Sequence, residues 1–332
     1  MIETQPNRKT DTWPRLGLDD WADTQTTLQR WTQIVGKTRL ALAPMQNHWW
    51  QVVLYVTDRG LTTSPIPYED GRTFEVNFDF IDHRLITQTS DGDERLLPLA
   101  PQPVADFYND YMSMLRSLGI EVKILPVPME MSDALRFTED RTHASYDPDA
   151  VHRFWQVLVH GDRVLKEFRA RFLGKSSPSH FWWGGFDLAC TRFSGRPAPL
   201  HPGGIPNCPD WVMVEGYSHE CASAGFWPGN VGGAVSEPAF YAYSYPEPAG
   251  YNVAQIRPEG AYYHQVMREW VLPYEAVRTS VNPEQAVLDF LQSTYEAGAN
   301  LAKWDRKSLE RPPDWRPPPS AARGMNRSTS AN

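Results

Sequence analysis

The sequence predicts an α+β fold of antiparallel sheets with flanking helices, set out as two lobes that read as diverged copies of one unit. Three observations carry this. Short extended runs between residues 39 and 89 are separated by the turn pairs Asp70-Gly71 and Asp91-Gly92, which is the pattern of a meander. Asp147-Pro148 supplies a helix cap followed by proline at the first helical position, and the apolar residues beyond it keep a three-to-four spacing. The order helix, Gly-Lys-(Thr/Ser), His-aromatic-Trp strand, meander, Val-x-Asp-Phe helix occurs twice, at residues 19–119 and 148–300.

In chain order, Asp19 and Asp20 cap a helix expected to run to Val35 and stop at Gly36 as a left-handed C-cap. Extended runs follow at 39–43, 49–57, 61–67, 73–80 and 84–89. A helix over 104–118 ends at Gly119, and 122–125 reads as a strand. Residues 126–147 lack periodicity and form the connector. The helix opened by Asp147 carries Val151, Phe154, Leu158, Leu165, Phe168 and Phe172 on one face, with Gly174 as its stop. A central strand is expected over 180–193, a Gly/Pro loop over 194–209, strands near 217–226 and 239–245, and a last helix from Asn282-Pro283 to Trp304. The expected units are therefore an N-terminal α+β lobe (1–126), a connector (127–147), a C-terminal α+β lobe (148–310) and a disordered Pro-rich tail (311–332).

With 332 residues the chain can bury a large core. A formal net charge of -8 offers no basic face, which argues against a nucleic acid or an anionic membrane as partner. No window reaches the roughly 20 apolar residues of a bilayer span, and the first residues carry no signal-peptide pattern. Three cysteines, Cys190, Cys208 and Cys221, give neither a CxxC pair nor an even framework, so free thiols in the cytoplasm are expected. Thirteen tryptophans exceed what a core of this size needs, which points to an aromatic ligand pocket or a broad contact surface.

The Gly-Lys-Thr and Gly-Lys-Ser runs are not phosphate loops, because Trp31 and Arg169 stand where the required earlier glycine would be. As C-cap glycines they would put Lys37 and Lys175 at negative helix ends. Strand periodicity places His180, Trp182 and Gly184 on one face of the predicted central strand and Trp183, Gly185 and Asp187 on the other. His180 and Asp187 then meet only if the Gly184-Gly185 pair forms a bulge, and adjacent glycines also suggest close approach by another group. Tyr217-Ser218-His219-Glu220 is a second polar island, and it is not the HExxH metalloprotease motif. Asp79 and His83 share a strand face, and Glu139, Asp140, His143 and Tyr146 crowd the connector. No short metal-ligand spacing occurs, so a metal site would need His48, His180 or His219 assembled with a distant carboxylate; no metal or cofactor is assigned.

The runs WPRLGLDDWADTQTTLQRWTQIVGKTRLALAPMQNHWW, KSSPSHFWWGGFDLACTRFSGR, YSHE, GFWPG, FYAYSYPEP, LPYEAV and STYEAGANLAKWDRKSLE together resemble a family of bacterial proteins known only as a numbered domain of unknown function. The similarity covers about residues 13–310 and implies one whole-chain unit with a dispensable tail. It brings no activity, cofactor or assigned residues. From the residues themselves, the leading expectation is an enzyme using His/carboxylate acid-base chemistry on a small anionic or aromatic molecule in an aromatic-lined cleft between the lobes. His180 and His219 would move protons, and Asp187 and Glu220 would orient them. Trp49, Trp182, Trp183, His48 and His143 would line the cleft, and Arg192 and Arg196 would hold an anionic group. The alternative is a non-catalytic ligand-binding or homo-oligomeric assembly protein.

Overall fold

A computed structural model describes residues 13–312. Two six-stranded antiparallel sheets and seven α-helices make up this part of the chain. The first sheet has the order β1 (Tyr55–Val56), β2 (Gly60–Thr62), β4 (Thr73–Asp79), β5 (Arg84–Thr89), β6 (Glu94–Pro98), with β3 (Ile66–Pro67) also paired to β4. The second runs β7 (His180–Trp182), β8 (Asp187–Pro197), β9 (His219–Trp227), β10 (Ala239–Tyr245), β12 (Glu269–Pro273), β11 (Tyr262–His264). A bridge between Leu54 and Phe181 joins them at β1 and β7, and one buried apolar cluster extends from Trp13 to Trp304.

The helix α1 (Ala22–Leu42) is the spine, and it corrects the sequence reading most. It does not stop at Gly36, and residues 39–42 are helical rather than extended. Gly36 is a crossing point: a Cβ there would stand 2.2 Å from Trp183 Cδ1, so only glycine lets the indole pass. Lys37 is therefore a mid-helix residue, not a helix-end cation. From Thr27 to Arg39 every residue is buried, polar ones included. A buried polar group needs a partner, and the spacing of Gln25, Gln29 and Gln33 supplies three on one side of the helix. Gln25 Nε2 donates to Gly229 O (2.6 Å), Gln29 Nε2 to Gly184 O (2.8 Å) and Gln33 Nε2 to Met129 O (2.9 Å), while Met129 N donates back to Gln33 Oε1 (2.8 Å). One helix thus fixes three loops.

Helices α2 (Val104–Ser117), α3 (Pro148–Ala170) and α6 (Pro283–Leu301) follow the predicted periodicity. Asp147 accepts from the N–H groups of Asp149 and Ala150, and Asn282 from that of Gln285, as the two caps require. The helix α3 ends at Ala170, before Gly174. Helices α3 and α6 cover one face of the second sheet, where Leu188, Cys190, Phe226, Phe240 and Leu272 are buried. The short helices α4 (Asp210–Gly216), α5 (Tyr274–Arg278) and α7 (Arg306–Leu309), together with β6, β11 and β12, were not predicted. Residues 122–125 form no strand. Residues 47–52 turn instead of extending, with His48 and Trp49 at φ of 60° and 62°.

Two of the fragment pairs that suggested duplication occupy different local structures, whereas the Val-x-Asp-Phe pair, at 104–107 and 287–290, is helical in both places. Gly36-Lys37-Thr38 is mid-helix, whereas Gly174-Lys175-Ser176 follows the end of α3; Asn47–Trp49 is a 3-10 turn, whereas His180–Trp182 is a strand. The predicted tail lies outside the described residues from 313 onward. No described helix is long and apolar enough to cross a membrane.

Candidate functional site

The central strand predicted over 180–193 is a hairpin. Residues 183–186 turn the chain between β7 and β8, and Trp182 pairs with Asp187, His180 with Ala189. Cross-strand partners share a face, so Asp187 comes to the same face as His180 without a bulge. That face also carries Thr191 and Phe193 from β8, Ser223 and Cys221 from β9, and Tyr241 and Tyr243 from β10. It is the face that α3 and α6 leave uncovered. Helix α4, the turn at 48–50 and Glu130 from the connector close over it, leaving a chamber of about 190 Å³.

Two carboxyls meet at the glycine pair. A Cβ on Gly184 would lie 2.0 Å from Glu130 Oε1, and one on Gly185 would lie 2.8 Å from Asp187 Oδ1 and 3.6 Å from Glu130 Oε2. Glycine at both places makes room for both acids. Glu130 is held there from outside its own side chain. Its N–H donates to Pro206 O at 2.9 Å, its neighbour Met129 is clamped by Gln33, and its φ is 58°, a region that costs a non-glycine residue about 1 kcal/mol. Glu130 keeps an exposed side chain that borders the chamber, even though protein atoms surround it densely.

Burial pushes both carboxyls up to about 7; for Glu130 the charge of Asp187 adds to the effect. Glu269, on β12 beside them, is pushed up to about 8 by burial and by Asp187. The hydroxyl of Tyr241 donates to Asp187 Oδ2 and favours its charged form. Tyr217 and Tyr243 share a hydroxyl hydrogen bond of 2.7 Å. Neither Asp187 nor Glu130 forms an ion pair with a described residue. At the other end of the chamber His48 is held neutral: its Nδ1 contacts Gly216 O at 3.0 Å, its Nε2 accepts from Lys175 Nζ at 2.6 Å, and burial lowers its pKa. Among the described residues, no group of three or more His, Cys, Asp or Glu could hold a metal ion.

A second, largely apolar cleft of about 330 Å³ adjoins the chamber. Trp49, Trp182, Glu130 and Val212 line both spaces. Trp49 is pinned by its Nε1 donating to Val212 O at 2.9 Å, and its ring lies 5.3 Å from that of Trp211.

Of the residues singled out from sequence, Asp187, Trp49, Trp182 and His48 line the chamber, and Trp183 lines the apolar cleft. The others lie elsewhere. His180 is 1% exposed among Trp50, Tyr55 and Trp182, at centroid distances of 5.5–5.7 Å, with both ring nitrogens unpartnered and its pKa lowered to about 3. It is a neutral packing residue. His219 stands behind His48, ring centroids 5.8 Å apart, with Ser218 Oγ at 3.2 Å, and does not line the chamber. Glu220 points off this face and pairs with Arg196 at 2.6 Å; Arg196 also donates to Ala302 O at 2.7 Å, a strap from sheet to α6. Arg192 is on the covered face, its guanidinium 3.4 Å from the Phe168 ring centroid and donating to Phe168 O. It can hold no ligand in the chamber. His143 belongs to an ion cluster in which Asp140 and Asp133 pair with buried Arg30. Asp79 is bound by Arg59 and Arg84, while His83 Nδ1 meets Tyr146 Oη at 2.9 Å, so these two form no pair.

Sequence reasoning missed Glu130, Tyr241 and Tyr243; it read Tyr217 only as part of a polar island and Lys37 only as a helix-end cation. The tyrosines had a signal: Tyr241, Tyr243 and Tyr245 alternate, which puts three phenols on one strand face. Glu130 had none, since a connector without periodicity says nothing about where its side chains go.

These features define an antiparallel α+β protein with a small chamber of acids and phenols beside a tryptophan-lined cleft. The chain belongs to the family of unknown function DUF5996, which matches residues 13–311. No curated protein and no solved structure matches it.

Proposed function

We propose that the protein is an enzyme that takes a small polar molecule into this chamber and moves protons on it with Asp187 and Glu130. The observation that carries the reading is the convergence of the two carboxyls on Gly184-Gly185, both without an ion-pair partner and both facing one small chamber. Two like-charged acids in such a space share protons, so near neutral pH one serves as acid and the other as base. Tyr241, donating to Asp187, favours Asp187 as the ionised member. Trp49, Trp50, Trp182, Tyr241 and Tyr243 offer flat surface to the uncharged parts of the molecule. This keeps the acid-base chemistry expected from sequence but moves it from His180 and His219 to a carboxyl pair. It also removes the arginine clamp for an anion. Three free, buried thiols favour a reducing compartment, and we place the protein in the cytoplasm.

Mass spectrometry of small molecules retained by the purified full chain tests the proposal. The expectation is a compound held by the wild-type protein and reduced at least about tenfold in folded Asp187→Asn and Glu130→Gln, the loss of one charge-assisted contact being worth roughly 1.5–3 kcal/mol. An identical retained set in all three proteins would contradict it.

A further inference from the structure

Lys37 is a lysine without a structural task. It sits mid-helix on α1, 3% exposed, and forms neither a hydrogen bond nor an ion pair with any described residue. Its ammonium lies 5.7 Å from the Trp183 ring centroid and borders the apolar cleft. A buried charge without a partner is costly, and proteins ordinarily pair it or replace it. An apolar residue at position 37 would fill this place better.

We propose that Lys37 is an amine nucleophile that captures a small apolar aldehyde or ketone in the tryptophan-lined cleft as an imine, with Glu130 as proton shuttle. The cleft fixes the class of ligand. Trp49, Trp182, Trp183, Leu40 and Val52 give it apolar walls, and Glu130 is the acid that borders both cleft and chamber. In the chemistry, the Nζ lone pair attacks the carbonyl carbon, a C–N bond forms, and the carbonyl π pair passes to oxygen, which takes the first of the two protons the nitrogen gives up. The carbinolamine then loses its hydroxyl as water, using a proton from the Glu130 carboxyl, and the nitrogen gives its proton back to the Glu130 carboxylate. Amine, carbonyl, imine and one water balance, and no oxidant or reductant is needed. The inference rests on the proposed function only through Glu130; capture by Lys37 does not require Asp187.

The electrostatics agree. Burial lowers the Lys37 pKa to about 8, against smaller raising effects of Cys208 and Glu130, and Lys123 is the other lysine bordering the cleft. At pH 7.5 the free-amine fraction is then on the order of a hundred times that of an ordinary lysine. Glu130, pushed up to about 7, is still partly protonated there.

The test is reductive trapping. The full chain is incubated with 3-phenylpropanal and cyanoborohydride, and adducts are located by peptide mass spectrometry. The expected result is one adduct, at Lys37, forming more than about tenfold faster than at exposed lysines such as Lys166 and fastest between pH 7 and 8. It disappears in Lys37→Met and in Lys37→Arg, the second of which keeps the charge should the first fold poorly. Adducts spread over exposed lysines with Lys37 unmodified, or a rate still rising above pH 9, would overturn the inference. Either outcome leaves the chamber reading intact, since ligand retention in Asp187→Asn tests that separately.

Discussion

Replacing Asp187 by Asn should make the protein more stable while disabling it. The substitution keeps shape and keeps an oxygen that accepts from the Tyr241 hydroxyl, but removes the charge. Burial raises the Asp187 pKa from 3.8 to about 7 in the folded chain. A carboxyl whose folded pKa lies above its unfolded value binds more protons folded than unfolded. Its penalty on stability is absent below pH 3.8, grows as pH rises, and levels off above about 7. At about 1.4 kcal/mol per pH unit the full penalty would be about 4 kcal/mol in a dry chamber. Asp187 retains surface inside the chamber, and water there reduces this to roughly 2 kcal/mol. Asp187→Asn should therefore unfold a few degrees higher than wild type at pH 7.5 and at the same temperature at pH 4. Thermal melts across that range provide the assay. A variant whose stability relative to wild type is the same at every pH would refute the reasoning, because it would mean that the Asp187 pKa does not change on folding. Loss of Asp187 should also lower the pKa values of Glu130 and Glu269, both of which its charge raises.

His180→Phe should fold normally and retain ligand as wild type does, since both imidazole nitrogens already lack partners; a tenfold loss of retention would return His180 to the site. Two glycine substitutions should separate function from stability. Gly184→Ala forces aside the flexible end of Glu130, so retention falls while the melting temperature changes by less than about 1 kcal/mol allows. Gly36→Ala meets the buried Trp183 ring, tied by its Nε1 to Val52 O at 2.7 Å, and should cost roughly 1–3 kcal/mol of stability in urea unfolding. Equal destabilisation by the two would count against the account.

The elements with strong local signals were legible in the sequence. The caps at Asp147 and Asn282, the three-to-four spacing along α3 and the meander of β4 and β5 are set by nearby residues, and they fold as their pattern dictates. Glycine was the ambiguous letter. Gly36 and Gly174 read as helix stops, yet both are close approaches, to Trp183 and to Phe172 and Leu309, which no local pattern reveals. Gly184-Gly185 was the informative pair: close approach by another group was expected, and the group is Glu130 from about 50 residues away. The site was half legible for the same reason. Asp187, Trp49, Trp182 and His48 lie in conspicuous aromatic runs, whereas His180, Arg192 and Glu220 stand in the same runs but face packing partners. Which way a residue on a two-sided strand faces depends on where the hairpin turns, and 183–186 turned where an unbroken strand was expected.

The central claim is that Asp187 and Glu130 share one chamber and titrate near neutral pH. Carbon-detected NMR titration of the side-chain carboxyls from pH 3 to 9, assigned with Asp187→Asn and Glu130→Gln, measures this directly. The account predicts that these two carboxyls titrate near 7, each shifting downward when the other is neutralised. Titration of both below pH 5, with neither responding to the other's removal, would contradict it.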